Sequence, residues 1–131
     1  MTNNESKMRI LLVDDDSMSL RSLHSALKLH GFEVDAFDNP MQAYECYREK
    51  QHALVFSDLM MPKLNGIQLL EKVKAINPNS IFVIFTGFYT EENDNQAKAA
   101  GAHLMLMKPL SIQRVLELAR DTRDQKISEE V

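Results

Sequence analysis

A chain of 131 residues with 44% apolar content and a formal net charge of −4 is the size of one domain and can bury a real core. Its acid excess offers no basic footprint for nucleic acid, so direct DNA or RNA binding by this chain is not expected. No apolar run approaches a membrane span, the first residues lack the apolar stretch of a signal peptide, and the single Cys46 can close no internal disulfide, so the expected location is cytoplasmic.

Strand-like and helix-like segments alternate along the chain. The apolar run Ile10-Leu11-Leu12-Val13 predicts a strand over 8–13 that ends in Asp14-Asp15-Asp16. A helix opens at Ser17, carries Leu20, Leu23 and Leu27 on one face and stops at Gly31. Residues 32–37 alternate apolar and polar, which predicts a half-exposed edge strand. Asn39-Pro40 starts a second helix with a cap followed by proline in the first turn. Cys46 falls on this mostly polar helix and is expected to be a free thiol.

The next run, 53–57, is apolar on both faces and delivers Asp58, after which Met61-Pro62 and Asn65-Gly66 form a loop. A third helix with Ile67, Leu70, Val73 and Ile76 on its face ends at Asn77-Pro78. The run 81–85 ends in Thr86-Gly87. A fourth helix begins at Thr90-Glu91-Glu92 and closes at Gly101. Its apolar groups are Ala97, Ala99 and Ala100, so it should be held weakly and is a candidate moving part. The run 104–107 ends in Lys108-Pro109, and a fifth helix begins at Ser111 with Ile112, Val115, Leu116 and Ala119. Residues 122–131 are charged and read either as a fraying tail or as the start of a linker helix.

Five strand-then-helix repeats imply an α/β fold with a parallel sheet covered on both faces. Ligands bind such sheets outside the carboxyl ends of the strands, so the polar groups at four strand ends should converge on one site. Three acids there would repel one another unless a cation offset them. Clustered carboxylates, a hydroxyl and an ammonium suit a divalent cation with a phosphoryl group. Asp16 reads as a turn residue or helix cap. His24, His30, His52 and His103 show no metal-ligand spacing and are expected at the surface or an edge, and Met105 and Met107 are expected to fill core.

Asp14-Asp15 after the first strand, Asp58 with the Met61-Pro62 turn and Asn65-Gly66, Thr86, and Lys108-Pro109 together resemble the receiver domain of two-component response regulators, over about residues 7–120. The resemblance implies one receiver domain over 1–131 with a flavodoxin-like (βα)5 fold and a five-stranded parallel sheet of order 2-1-3-4-5. It implies that Asp58 accepts a phosphoryl group from the phosphohistidine of a sensor histidine kinase or histidine phosphotransfer protein. Asp15, Asp58 and the Met60 backbone carbonyl would hold Mg²⁺, or Mn²⁺ in its place, with Asp14 acting through water. Lys108 and Thr86 would contact phosphoryl oxygens, in a signalling switch that turns over no separate substrate. Such domains commonly signal to a downstream protein partner through the face of the fourth helix, fifth strand and fifth helix.

The chain departs from the common receiver pattern at four positions. Met105 stands where an aromatic ring often couples to the threonine in a switch, and Gly87 replaces the usual alanine. Met60 and Phe88, two residues after Asp58 and Thr86, flank the route of an attacking water and bear on phosphoryl lifetime. A stand-alone regulator and a piece of a longer protein both fit the sequence. Two rival classes fit less well. A haloacid-dehalogenase-type phosphatase wants a Thr or Val where Met18 stands, and a flavodoxin-type electron carrier wants a hydroxyl- and glycine-rich loop where this one is anionic.

Overall fold

In a computed structural model, which describes residues 8–126, five strands alternate with five helices. They are β1 (Arg9–Val13), α1 (Ser17–Leu29), β2 (Glu33–Phe37), α2 (Pro40–Lys50), β3 (Leu54–Asp58), α3 (Gly66–Ile76), β4 (Ile81–Thr86), α4 (Glu91–Ala99), β5 (Leu104–Met107) and α5 (Ile112–Arg123). All strand pairs are parallel and the order is β2-β1-β3-β4-β5, as the repeat pattern and the resemblance imply. The expectations for residues 1–7, and for 127–131 of the charged tail, lie outside the described residues.

The helix boundaries follow local chemistry. Asp16, Asn39, Asn65, Thr90 and Ser111 each accept a hydrogen bond from a backbone N–H in the first turn of the following helix, satisfying donors that the helix cannot. Asp16 is therefore a helix cap. Gly31 and Gly101 follow α1 and α4 with φ of +91° and +109°, the left-handed geometry that glycine enters without strain.

The two faces of the sheet build two cores. Leu11, Val13, Val55, Phe82 and Ile84 pack against α2, α3 and Ala97 of α4, while Ile10, Leu12, Phe56, Val83 and Phe85 pack against α1 and α5. Central β3 is buried along its whole length, whereas β2 at the edge is half-buried or exposed throughout. The parallel register sets Val13 opposite Ser57 and Asp58 opposite Phe85, bringing the ends of β1, β3 and β4 to one level. Because the chain runs from β2 across β1 to β3, successive crossovers diverge between β1 and β3 and leave a crevice there.

Two expectations need correction. His52, expected at the surface or an edge, is fully buried, because the turn after α2 folds its ring against Tyr47 at a centroid distance of 6.0 Å. Met107, expected in the core, is exposed, while Met105 packs partly against the core beneath α4. Both lie on the same face of β5, but α4 buries only Ala97 there and leaves the strand end uncovered.

Candidate functional site

The strand ends place Asp14, Asp15, Asp58, Thr86 and Lys108 around the crevice. Asp14 follows β1 directly and is fully buried, whereas Asp15, one residue on, points to the exposed mouth. Asp58 closes β3 and is 6% exposed. One carboxylate oxygen from each of Asp14, Asp15 and Asp58 lies within 4.8 Å of the others.

Lys108 reaches across from the end of β5. Its Nζ lies 3.1 Å from Asp58 Oδ2 and 3.4 Å from Asp14 Oδ2, so one ammonium touches two of the acids. The Lys108 backbone N–H donates to Thr86 O at 2.8 Å, anchoring the turn that aims the side chain, and the Lys108–Pro109 peptide is cis. Nζ also sits 5.3 Å from the centre of the Phe85 ring, which flanks it on the α5 side.

Electrostatics in the crevice are unbalanced. Burial raises the Asp14 carboxyl from its ordinary 3.8 to about 6, against the lowering effect of the Asp16 N–H and the Lys108 charge. Burial alone would lower the Lys108 ammonium, but its hydrogen bond to Asp58 and the negative charges of Asp14 and Asp58 raise it. Asp14 Oδ2 has the ion contact with Lys108 but no hydrogen bond, an orphaned acceptor in a buried position. One lysine does not neutralise three carboxylates. An oxygen-rich, partly open cluster with an orphaned acceptor fits a hard divalent cation that keeps some of its waters.

Thr86 is fully buried at the end of β4, and its hydroxyl is engaged locally. Oγ1 accepts from the Phe88 N–H at 3.1 Å and lies 3.4 Å from Phe88 O. Its hydroxyl makes no hydrogen bond to Asp58 among the described residues. Met60 is exposed beside the site and its N–H points toward Asp58 Oδ1 at 3.4 Å, while Phe88 is exposed on the β4 side.

One contributor was read from the sequence only as part of a turn. Gly66 opens α3 directly beneath Asp58, where an added Cβ would stand 2.5 Å from Asp58 O. The Gly66 N–H donates to Leu59 O at 2.9 Å and the Leu59 N–H to Phe85 O at 2.8 Å, so the segment after Asp58 is pinned on both sides. Asn65-Gly66 signals a turn in any sequence. Only the approach of α3 to the β3 end shows why glycine is required.

A family model described as the response regulator receiver domain matches residues 10–120. The chain belongs to that family. The response regulator receiver protein CpdR of Brucella abortus is 34% identical over 79% of this chain and 87% of its own length. The transcriptional regulatory protein ZraR of Klebsiella oxytoca is 33% identical over 92% of this chain, which there spans only 27% of the longer protein. A CheY-like receiver domain from Methanospirillum hungatei superposes with a TM-score of 0.86 at 29% identity, covering 92% of this chain and 96% of that one. Receiver domains are two-component signalling modules that interact with kinases or phosphotransfer proteins, and this receiver has the same five-stranded fold. No helix among the described residues is long and apolar enough to cross a membrane.

Proposed function

We propose that this receiver accepts a phosphoryl group on Asp58 from the phosphohistidine of a sensor histidine kinase or histidine phosphotransfer protein, in a Mg²⁺-dependent reaction. The observation that carries the reading is the single ammonium of Lys108 held within 3.4 Å of both Asp14 and Asp58 at the crevice. An ionised Asp58 Oδ attacks phosphorus, the P–N bond of the donor breaks and the electron pair leaves with the donor imidazole. Lys108 turns from its carboxylate partners to a phosphoryl oxygen and offsets the charge that accumulates in transfer.

Asp15, Asp58 and the Met60 backbone carbonyl would hold the cation, with Asp14 acting through water, and Mn²⁺ could take its place. When bound, Mg²⁺ supplies charge neutralisation that the lone lysine cannot. Thr86 turns its hydroxyl from Phe88 O and donates it to a phosphoryl oxygen, carrying the following loop with it. The four residues 87–90 connect that loop to α4, so the motion reaches the face of α4, β5 and α5, where a downstream protein would read it. Met105 repacks beneath α4 among thioether rotamers in place of a ring flip. In this reading residues 1–131 form one cytoplasmic receiver that acts as a switch and turns over no separate substrate.

Acetyl phosphate with Mg²⁺ should add one acid-labile phosphoryl group, and Asp58→Asn should abolish it because an amide is no nucleophile. Equal labelling of the variant, or full labelling in chelator, would overturn the assignment. Asp15→Ala should chiefly weaken Mg²⁺ affinity, whereas Lys108→Ala and Thr86→Ala should impair phosphorylation or its conformational effect with metal binding nearly intact.

A further inference from the structure

A second cluster, with different donor chemistry, sits at the β2 edge of the sheet, away from the crevice. Asp35 of β2, Cys46 of α2 and His52 in the turn before β3 each present one donor atom, and all three lie within 4.8 Å of one another. β3 separates His52 from Asp58 by six residues, or about 20 Å along the strand. The donors are a carboxylate oxygen, a thiol sulfur and an imidazole nitrogen. That mixed set suits a borderline ion such as Zn²⁺ and not the oxygen-seeking Mg²⁺.

The spacing is close to what such an ion needs. His52 Nε2 lies 2.8 Å from Asp35 Oδ2 and 3.9 Å from Cys46 Sγ. Donor atoms around a tetrahedral zinc stand about 3.2–3.7 Å apart, so one spacing opens and the other closes by a few tenths of an ångström. The imidazole is already aimed. It is fully buried, stacked on Tyr47, and its backbone carbonyl accepts from Ser80 Oγ at 2.8 Å, while Ser80 Oγ in turn bonds the Tyr47 hydroxyl. The Asp35 side chain is 28% exposed and gives an ion a way in.

The carboxylate of the cluster already has Lys50 and His52 beside it. Burial by itself would raise the Asp35 carboxyl, yet the hydrogen bonds from His52 and Lys50 hold it below its ordinary range. Lys50 Nζ lies 3.2 Å from Asp35 Oδ2 at the exposed side, where its chain is 37% accessible and can swing into solvent. It stands where a competing cation would bind. His52 Nδ1, buried with no hydrogen-bond partner among the described residues, takes the ring proton when Nε2 is a ligand, which limits the affinity.

We propose that Asp35, Cys46 and His52 bind one Zn²⁺ ion, displacing Lys50 and the Cys46 thiol proton to solvent and leaving a fourth position for water. The ion would staple α2 to β2 and to the start of β3, at the edge of the sheet where β2 is half-buried or exposed throughout. This site is independent of the phosphorylation reading, and its failure would leave that reading intact.

The test uses Co²⁺ as a coloured stand-in, added to the whole chain in excess Mg²⁺. Cys46 is the one cysteine of the sequence, so a thiolate-to-cobalt charge-transfer band has a single source. One equivalent of Co²⁺ should develop the band and Zn²⁺ should bleach it. Asp35→Asn should weaken binding about tenfold or more, Lys50→Met should tighten it several-fold, and Cys46→Ala should abolish the band while leaving acetyl phosphate labelling unchanged. No thiolate band, or a band equally strong in Asp35→Asn, overturns the proposal. Asp35 is only partly buried and its variant should fold, so the outcome does not depend on replacing the core residue His52.

Discussion

α3 and α4 are crossovers of similar length that follow the two strands ending in Asp58 and Thr86, yet the molecule holds them very differently. α3 buries Leu69, Leu70 and Val73, closes a reciprocal capping box between Asn65 and Gln68, and seats Gly66 against the Asp58 carbonyl. α4 buries Ala97 alone and is held at its start by the Thr90 cap. A leucine gives about 2 kcal/mol of burial where an alanine gives a fraction of that, so α3 is an anchor and α4 is a part that can move cheaply. The Asp58 carboxylate is thus fixed while the element beyond the Thr86 hydroxyl is loose.

The harshest way to break the contrast is Gly66→Ala. The new Cβ meets backbone, which cannot rotate aside, so the variant should lose about 3 kcal/mol in urea denaturation and label poorly with acetyl phosphate. A loss below about 1 kcal/mol would mean α3 is not the rigid floor described.

Asp14→Asn tests the rim above that floor. The folded-state Asp14 carboxyl is raised from 3.8 to about 6, so ionising it costs the fold; its stabilising contribution is full below about pH 4 and is lost as pH rises through 6. At pH 7.5 without divalent cation the variant should therefore melt about 5 °C higher than the parent, and the gain should shrink toward pH 5 and in excess Mg²⁺. A lower melting temperature at pH 7.5 would show that Lys108 outweighs the burial.

Hydrogen exchange compares the two helices directly. α4 amides should exchange about tenfold faster than α3 amides, and beryllofluoride should change protection most between Gly87 and Gly101, with smaller effects in 31–49. Changes confined to α2 and α3 would show that this receiver signals through another face. The smallest effect should come from the exposed side chains flanking the site: Met60→Gln or Phe88→Glu could orient an attacking water and should shorten the aspartyl phosphate several-fold. Unchanged decay in both would remove these residues from control of lifetime.

Much of this was legible in the chain itself. Runs such as 10–13, 53–57 and 81–85 read as buried strands because both faces of a central parallel strand must be apolar, and alternation at 32–37 placed β2 at an edge. The caps Asn39 and Thr90, and the glycines 31 and 101, act within a few residues of where they stand, so local pattern sufficed for them. The weakness of α4 was visible in its lack of large apolar groups. His52 and Met107 were misread for a shared reason: burial there depends on which remote element covers the position, and no local pattern reports that.

Local rules therefore determined element type, strand ends and the order in which Asp14, Asp15, Asp58, Thr86 and Lys108 reach one rim. Right-handed crossovers left few ways to arrange the strands, and the family resemblance selected the order 2-1-3-4-5. Tertiary structure alone decided that Lys108 bridges Asp14 and Asp58, that Thr86 rests on the Phe88 backbone, that glycine is obligatory at 66, and that Asp35, Cys46 and His52 meet. Each of these is a distance of a few ångströms between residues far apart in the chain or between a side chain and a loop. Such distances are set by register and helix seating, which emerge only when all the layers pack together.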